Sequence, residues 1–524
     1  MEKYDSKNRV RGQVSTRLDE NQMFLEELFT DCGDIVKQEF LIAGSIKGYL
    51  MYVDGLANHQ MVEDFVLRPL KNEDLLSDVK VTEQKEKQRA IEKYFSGLSQ
   101  AEKQEKIQEM LELADVSWKP AMDEAVVEIL SGNTLLFIDG IAKGLMISSK
   151  YLPTRGVAEV ESEKTIRGAK DAFNESMRTS TALLRRRIRD SRLKIKQIFV
   201  AQRSRTNVAI CYVEGLVREE WLSEIESRLN RYEIDAIYDS AMIEQLLEPS
   251  WKSPFPQFQH TERPDKAASA LLEGRIVIVV DNSPDVLILP ATLNTFFQAS
   301  DDYYNHFGVA TFARILRYIA AVLAIALPGL YIAIVGYHNE LLPTELILAI
   351  SVARESVPFP VVIEILLMEL QFELLREAGI RLPGQMDNTI GVVGGLIVGQ
   401  AAVEAGLVST IAVIVVAMSA LASFAVPSGS FMSAVRMLKF FYIVVCGIWG
   451  IYGFLLGSLV LLTHLSSLES LGIPYLMPAV SASHLDYDDT KDFILKKPLF
   501  CMQKRPIFTR REEQIRMRKR GIGK

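Results

Sequence analysis

The 524-residue chain carries 59 basic and 66 acidic side chains, a net charge of −7, with 48% apolar residues and a mean hydropathy of +0.12. That acidic balance, with no nucleic-acid-binding motif, argues against nucleic acid as a partner. The four cysteines, Cys32, Cys211, Cys446 and Cys501, stand at neither metal nor disulfide spacing and argue against thiol or zinc chemistry.

Charge is unevenly shared along the chain. Residues 1–311 hold 40 basic and 50 acidic side chains, residues 312–464 only 16 charges in 153 positions, and residues 491–524 hold 12 basic and 3 acidic. The expected architecture is an α/β soluble N-terminal region of two related subdomains, followed by an α-helical polytopic membrane domain and a basic tail. No apolar run follows Met1, so no cleavable signal peptide is expected and the N-terminal region stays in the cytoplasm. Residues 1–30 are polar and read as a mobile N-terminal arm ending in a short helix over 20–29.

From residue 31 a pattern recurs. The runs before Asp54-Gly55, Asp139-Gly140, Glu214-Gly215 and Asp281-Asn282 are each short, apolar and closed by an acidic residue and a turn former. Such runs read as buried strands. Helical stretches follow the first and third (60–70 and 219–230); second short strands follow the others (144–148 and 285–289). One duplicated unit explains this order, giving a first α/β subdomain over 31–153 and a basic linker with the second over 154–300, the repeat itself spanning 190–293. The acidic strand ends are turn chemistry rather than ligands, and no catalytic, cofactor-binding or metal residue is assigned. The chain offers no phosphate loop or nucleophile elbow and is not read as an enzyme. Residues 79–113 read as a solvated helical arm. The basic stretch 164–205, with Arg185, Arg186, Arg187, Arg189 and Arg192, reads as a contact with a neighbouring subdomain, a subunit or anionic lipid.

The membrane domain is placed at 310–466. Residues 318–339, 406–435 and 440–463 lack Asp, Glu, Lys and Arg, and each reaches the roughly 20 residues that a helical span needs. Residues 343–357 read as interfacial or re-entrant. Residues 358–379 form an apolar helix in which Glu369, Glu373, Arg376 and Glu377 share a face, with Glu364 off it. Charges at membrane depth face water or protein, so this stripe is either a cation-attracting pore lining or a salt-bridge packing device. Gly391, Gly395 and Gly399 form a bare stripe for close helix packing, as do Gly453 and Gly457. Arg436 and Lys439 mark an inside end before a final span. That final span would leave the basic tail, 467–524, outside, against the positive-inside tendency. Both termini are expected inside, with one segment re-entrant or the chain dipping back after His464.

Several motifs carry a resemblance. Pro256-Gln257, Thr261-Glu262-Arg263-Pro264-Asp265, Leu271-Leu272-Glu273-Gly274-Arg275, Asp281-Asn282-Ser283-Pro284, Pro358-Phe359-Pro360, Met368-Glu369 and Gly472-Ile473-Pro474 resemble the A-subunit family of bacterial spore germination receptors, the GerA type, which includes a stage V sporulation AF-type paralogue. The resemblance covers about residues 31–480, with Asn282 where relatives are expected to have Gly. It implies a multi-pass protein of the spore inner membrane with a cytoplasmic N-terminal domain. It also implies a homo-oligomer with other germination receptor subunits in the lipid bilayer, conducting ions in germinant-triggered ion release without a cofactor. A non-conducting membrane scaffold that assembles germination partners is the alternative.

Overall fold

A computed structural model describes residues 4, 10–72, 84–111, 113, 115–151, 163–380, 399–480 and 489–518. The first unit begins with α1 (Leu18–Leu28), then the hairpin β1 (Ile35–Ile42) and β2 (Ile46–Val53), β3 (Val116–Lys119), α2 (Met122–Leu130), β4 (Thr134–Ile138) and β5 (Gly144–Ile147). Its sheet runs β1-β2-β4-β5-β3 with every neighbour antiparallel. Side chains alternate faces along a strand. Tyr49, Met51 and Val53 meet α1 and α2 on one face, while Leu50 and Tyr52 meet Val62, Val66 and Leu70 on the other. Covering both faces explains why these strands read as unbroken apolar runs.

The second unit repeats the plan: α3 (Met177–Arg187), β6 (Leu193–Val200), β7 (Thr206–Val213), α4 (Glu219–Leu229), β8 (Gln259–Thr261), α5 (Pro264–Leu272), β9 (Ile276–Val280) and β10 (Val286–Leu289). Its order, β6-β7-β9-β10-β8, matches the first sheet strand for strand. The correspondence extends to single hydrogen bonds. Asp139 Oδ1 accepts from Leu18 N at 3.1 Å and Asp281 Oδ1 from Met177 N at 3.1 Å. Gly140 N donates to Thr16 O and Asn282 N to Glu175 O, both at 2.8 Å. Each strand-end carboxylate therefore holds the first free amide of its unit's leading helix, while the next residue turns at positive φ, 81° at Gly140 and 69° at Asn282.

Two expectations are corrected. From Val10 onward the N-terminal stretch is not a mobile arm: Val10, Val14 and Leu18 are buried, and Val14 N donates to Pro120 O at 3.0 Å. The repeated unit thus starts one helix earlier than residues 31 and 190. The charged insert is not a solvated arm either, because Ile91, Phe95, Ile107 and Met110 pack on the first sheet. The basic stretch joins the two units. Arg185, fully buried in α3, grips Asp34 through Nε at 2.6 Å and Nη2 at 3.0 Å, Lys194 Nζ donates to Leu28 O at 2.7 Å, and Gly33 N donates to Ile195 O at 3.0 Å.

The helical half comprises α6 (Phe307–Tyr337), α7 (Thr344–Arg354), α8 (Val361–Ile380), α9 (Thr410–Phe424) and α10 (Gly429–Ser467). Among the described residues, α6 and α10 are long and apolar enough to cross a membrane. α10 is not a single rod. Gly450 adopts φ 59° and ψ −134°, a backbone glycine tolerates and other residues resist, and the chain doubles back there. Tyr442 Oη donates to Ser458 Oγ at 3.1 Å, although a straight helix would hold the two about 24 Å apart. A Cβ at Gly453 would collide with the Val445 carbonyl, so this glycine is what lets the two legs touch.

The reversal brings His464 back beside Phe431, with both rings against Phe255 at 6.1 and 5.9 Å. The run 440–463, expected as one final span, is thus the end of one leg and most of another. The chain enters and leaves the helical half on the side of the α/β units. At the entry, Arg314 and Arg317 converge on buried Asp302 at 2.9 and 2.8 Å, and Arg314 also reaches Asp492 at 2.7 Å. At the exit, Ser253 and His464 share a 2.9 Å hydrogen bond. The basic tail then lies along the second unit, where Arg510 Nε donates to Val217 O at 2.6 Å and Thr509 Oγ1 to Glu273 O at 2.7 Å.

Candidate functional site

The helical half is organised around α8. Pro358 and Pro360 break the preceding chain, and the helix begins at Val361, where proline is tolerated just outside the first turn. Its start lies at the end distal to the α/β units: a Cβ at Gly447, in the first leg of α10, would meet Val362 at 2.8 Å. Its last turns approach the second unit, where Arg376 lines a cleft with His260, Lys266, Asp285 and Arg436.

Three carboxylates step down this helix, each meeting a cation. Glu364 is fully buried and accepts from Ser409 N at 2.6 Å. Its other oxygen lies 3.3 Å from Arg354 Nε, an ion pair without hydrogen-bond geometry, since neither atom has a hydrogen-bond partner. Glu369, also fully buried, accepts from Ser419 Oγ at 3.0 Å and from Lys439 Nζ. Glu373, at 22% exposure, faces Arg376 at 3.4 Å and Arg436 at 3.7 Å. Glu377 is exposed at the lower end. The result is a ladder of opposite charges from α7, α8 and α10, with uncharged donors from Ser409 and Ser419 beside it, running from the distal end to the cleft.

The sequence-predicted stripe is therefore only part of the arrangement. Glu369, Glu373 and Arg376 do come together, but Glu364, placed off the face by helical angle, is as buried as Glu369. The helix is enclosed on more than one side, so a single-face argument does not apply to it. Arg436 and Lys439 do not directly precede a helix that starts at residue 440. They lie within the first leg of α10, where Lys439 is 4% exposed and serves as the partner of Glu369. Their isolation between two long charge-free runs was the available signal. Gly391 and Gly395 lie outside the described residues. Among the described residues, a Cβ at Gly399 would meet only Val413, at 3.9 Å. The close approaches are at Gly329, where a Cβ would meet Cys446 Sγ at 3.1 Å, and at Gly447 and Gly453.

At the mouth of the cleft His260 pairs with Glu244 at 2.9 Å. Burial alone would lower the pKa of this imidazole. The Glu244 hydrogen bond and the charges of Glu244, Asp285 and Asp239 outweigh it and hold the pKa above its usual value. Burial also raises the Asp285 carboxyl.

Comparison with known proteins places these features in context. A profile of the Bacillus/Clostridium GerA spore germination protein family matches residues 23–508. The chain is 37% identical over 493 residues to YfkQ, an uncharacterized membrane protein of Bacillus subtilis (strain 168), covering 94% of this chain and 91% of that one. It is 35% identical over 488 residues to spore germination protein KA of the same organism, covering 93% and 85%. The crystal structure of the N-terminal domain of the A subunit of the Bacillus megaterium spore germinant receptor GerK3 aligns at 28% identity over 54% of this chain and 99% of that domain, with a TM-score of 0.39.

Proposed function

The chain belongs to the GerA family of spore germination proteins, and from that premise we propose that it is an A-type subunit of a germination receptor. Its helical half is held in the spore membrane, and it assembles with copies of itself and with other receptor subunits into an ion-conducting complex that acts in germinant-triggered ion release. In this reading α6, α8 and the two legs of α10 cross the bilayer, and the α/β units and the tail lie on the cytoplasmic side. Apolar side chains exposed along these helices suit lipid or a neighbouring subunit: Val322 on α6 at 63%, and Leu455 and Leu459 on α10 at 59% and 62%.

The observation that carries the conducting role is the charged ladder itself. Ionisable groups are costly at membrane depth and mark pathways for ions or protons when they occur there, and carboxylates along a pore draw cations by their field. A second reading is favoured by the burial of Glu369 against Lys439, which suits a clamp that locks the helices of one subunit in a non-conducting scaffold. The test is the full-length protein in liposomes, with Glu369→Gln and Glu373→Gln combined. Conduction through this face predicts cation flux in the parent and a changed cation-to-anion preference in an assembled variant. A clamp predicts a variant that fails to assemble. Flux with unchanged preference in a normally assembled variant removes these residues from the path, and absence of flux from the parent leaves the scaffold.

A further inference from the structure

A cavity of about 250 Å³ lies away from the ladder, between α5, residues 298–304 and the docked tail. Arg275, at the start of β9, lines it and is 4% exposed. No carboxylate among the described residues pairs with it. Its Nε donates to Pro290 O at 2.9 Å and its Nη1 to Gln259 Oε1 at 3.1 Å, both uncharged acceptors. The guanidinium lies over the Phe508 ring at 5.0 Å, and Nη2 has no hydrogen-bond partner. A buried cation is normally matched by a charge and fully hydrogen-bonded. Here burial pushes the guanidinium pKa down to about 10, with Glu273 and Tyr303 opposing it only in part.

The rest of the lining is net positive, with the cations Lys266, Lys496 and Arg516 against the carboxylates Asp265 and Glu273. Lys496 and Arg516 come from the tail, and Ser269, Ser300 and Tyr303 add hydroxyls. The carboxylate of Asp265 is already committed to Arg263 at 2.8 Å and to Tyr304. The geometry points to a binding site for a small oxyanion, a carboxylate or a phosphate, closed by the tail and completed at Arg275 Nη2. Because two of its cations belong to residues 489–518, an occupant fastens the tail to the second unit. The site does not depend on whether the helical half conducts.

The experiment uses the purified full-length chain in detergent, at constant ionic strength in chloride. Inorganic phosphate and acetate are titrated in turn and the thermal unfolding midpoint is read. The expected result is a saturable rise in the midpoint with at least one oxyanion above the chloride control. A response to phosphate alone assigns phosphoryl chemistry, and a response to acetate assigns carboxylates. Arg275→Gln should move half-saturation to about tenfold higher concentration, the loss of a charge-assisted contact. Arg516→Gln changes an exposed residue and keeps the test open if the first variant does not fold; it should weaken binding several-fold. No saturable rise with either oxyanion, or half-saturation unchanged in Arg516→Gln, overturns the site.

Discussion

The α/β region and the helical half both bury an acid–base pair, Arg185–Asp34 in one and Lys439–Glu369 in the other, and the two pairs differ in what else their charges could do. Arg185 meets Asp34 through two parallel N–H donors at a joint between units, and water can reach that joint if the units part. Lys439 meets Glu369 as a single ammonium among closely packed apolar side chains, where separation strands a buried charge. The same chemistry joins two α/β units in one region and links α8 to the first leg of α10 in the other.

The comparison breaks most readily at Lys439. Lys439→Leu strands the Glu369 carboxylate and should cost about 3–5 kcal/mol, whereas Glu369→Leu combined with Lys439→Leu should recover most of that loss. Thermal unfolding in detergent reads both, and a single variant as stable as the parent would show that the pair does not hold the helices. Arg185→Leu should cost less, about 2–4 kcal/mol, because Asp34 can be rehydrated as the joint opens. Limited proteolysis near residues 29–34 should accelerate in this variant while the cores of the two units stay protected.

A smaller effect tests whether the two units are equivalent. Asp139→Ala and Asp281→Ala each remove the acceptor for the leading helix of one unit, so each should cost about 1 kcal/mol. Unequal losses in chemical denaturation would show that the units have diverged in energy despite a common topology. The smallest effect belongs to His260. Its folded pKa is raised, so its stabilising contribution is complete below the unfolded value of about 6.5 and is lost as pH rises through the folded pKa. The unfolding midpoint of the parent should therefore fall slightly more between pH 6 and pH 8 than that of His260→Gln, and parallel profiles would exclude this coupling.

Legibility followed the range of the interaction. Asp-Gly and Asp-Asn closing an apolar run are local signals, and the strands ending at Val53, Ile138, Val213 and Val280 are where those signals place them. β1 and β6 escaped notice because polar residues interrupt them, Lys37, Gln38 and Glu39 in one and Lys194, Lys196 and Gln197 in the other. α1 was expected as a short helix over 20–29 but at the end of a mobile arm, and α3 lies in a stretch whose charge suggested a linker. These two helices are held by contacts more than 100 residues away in sequence, Leu18 by Asp139 and Met177 by Asp281.

By itself, the sequence determined the division into an acidic duplicated α/β region, an apolar helical region and a basic tail, because composition and short-range periodicity follow from burial and turn chemistry alone. It also determined that the otherwise apolar α8 carries several carboxylates. Only the tertiary structure decided their partners. Glu369 meets Lys439 across 70 residues and Glu364 meets Ser409 across 45, pairings that depend on which helices become neighbours. The topology, too, was decided by one backbone torsion: Gly450 can take a left-handed φ anywhere, but the chain reverses there because Gly453 lets the second leg lie directly against Val445.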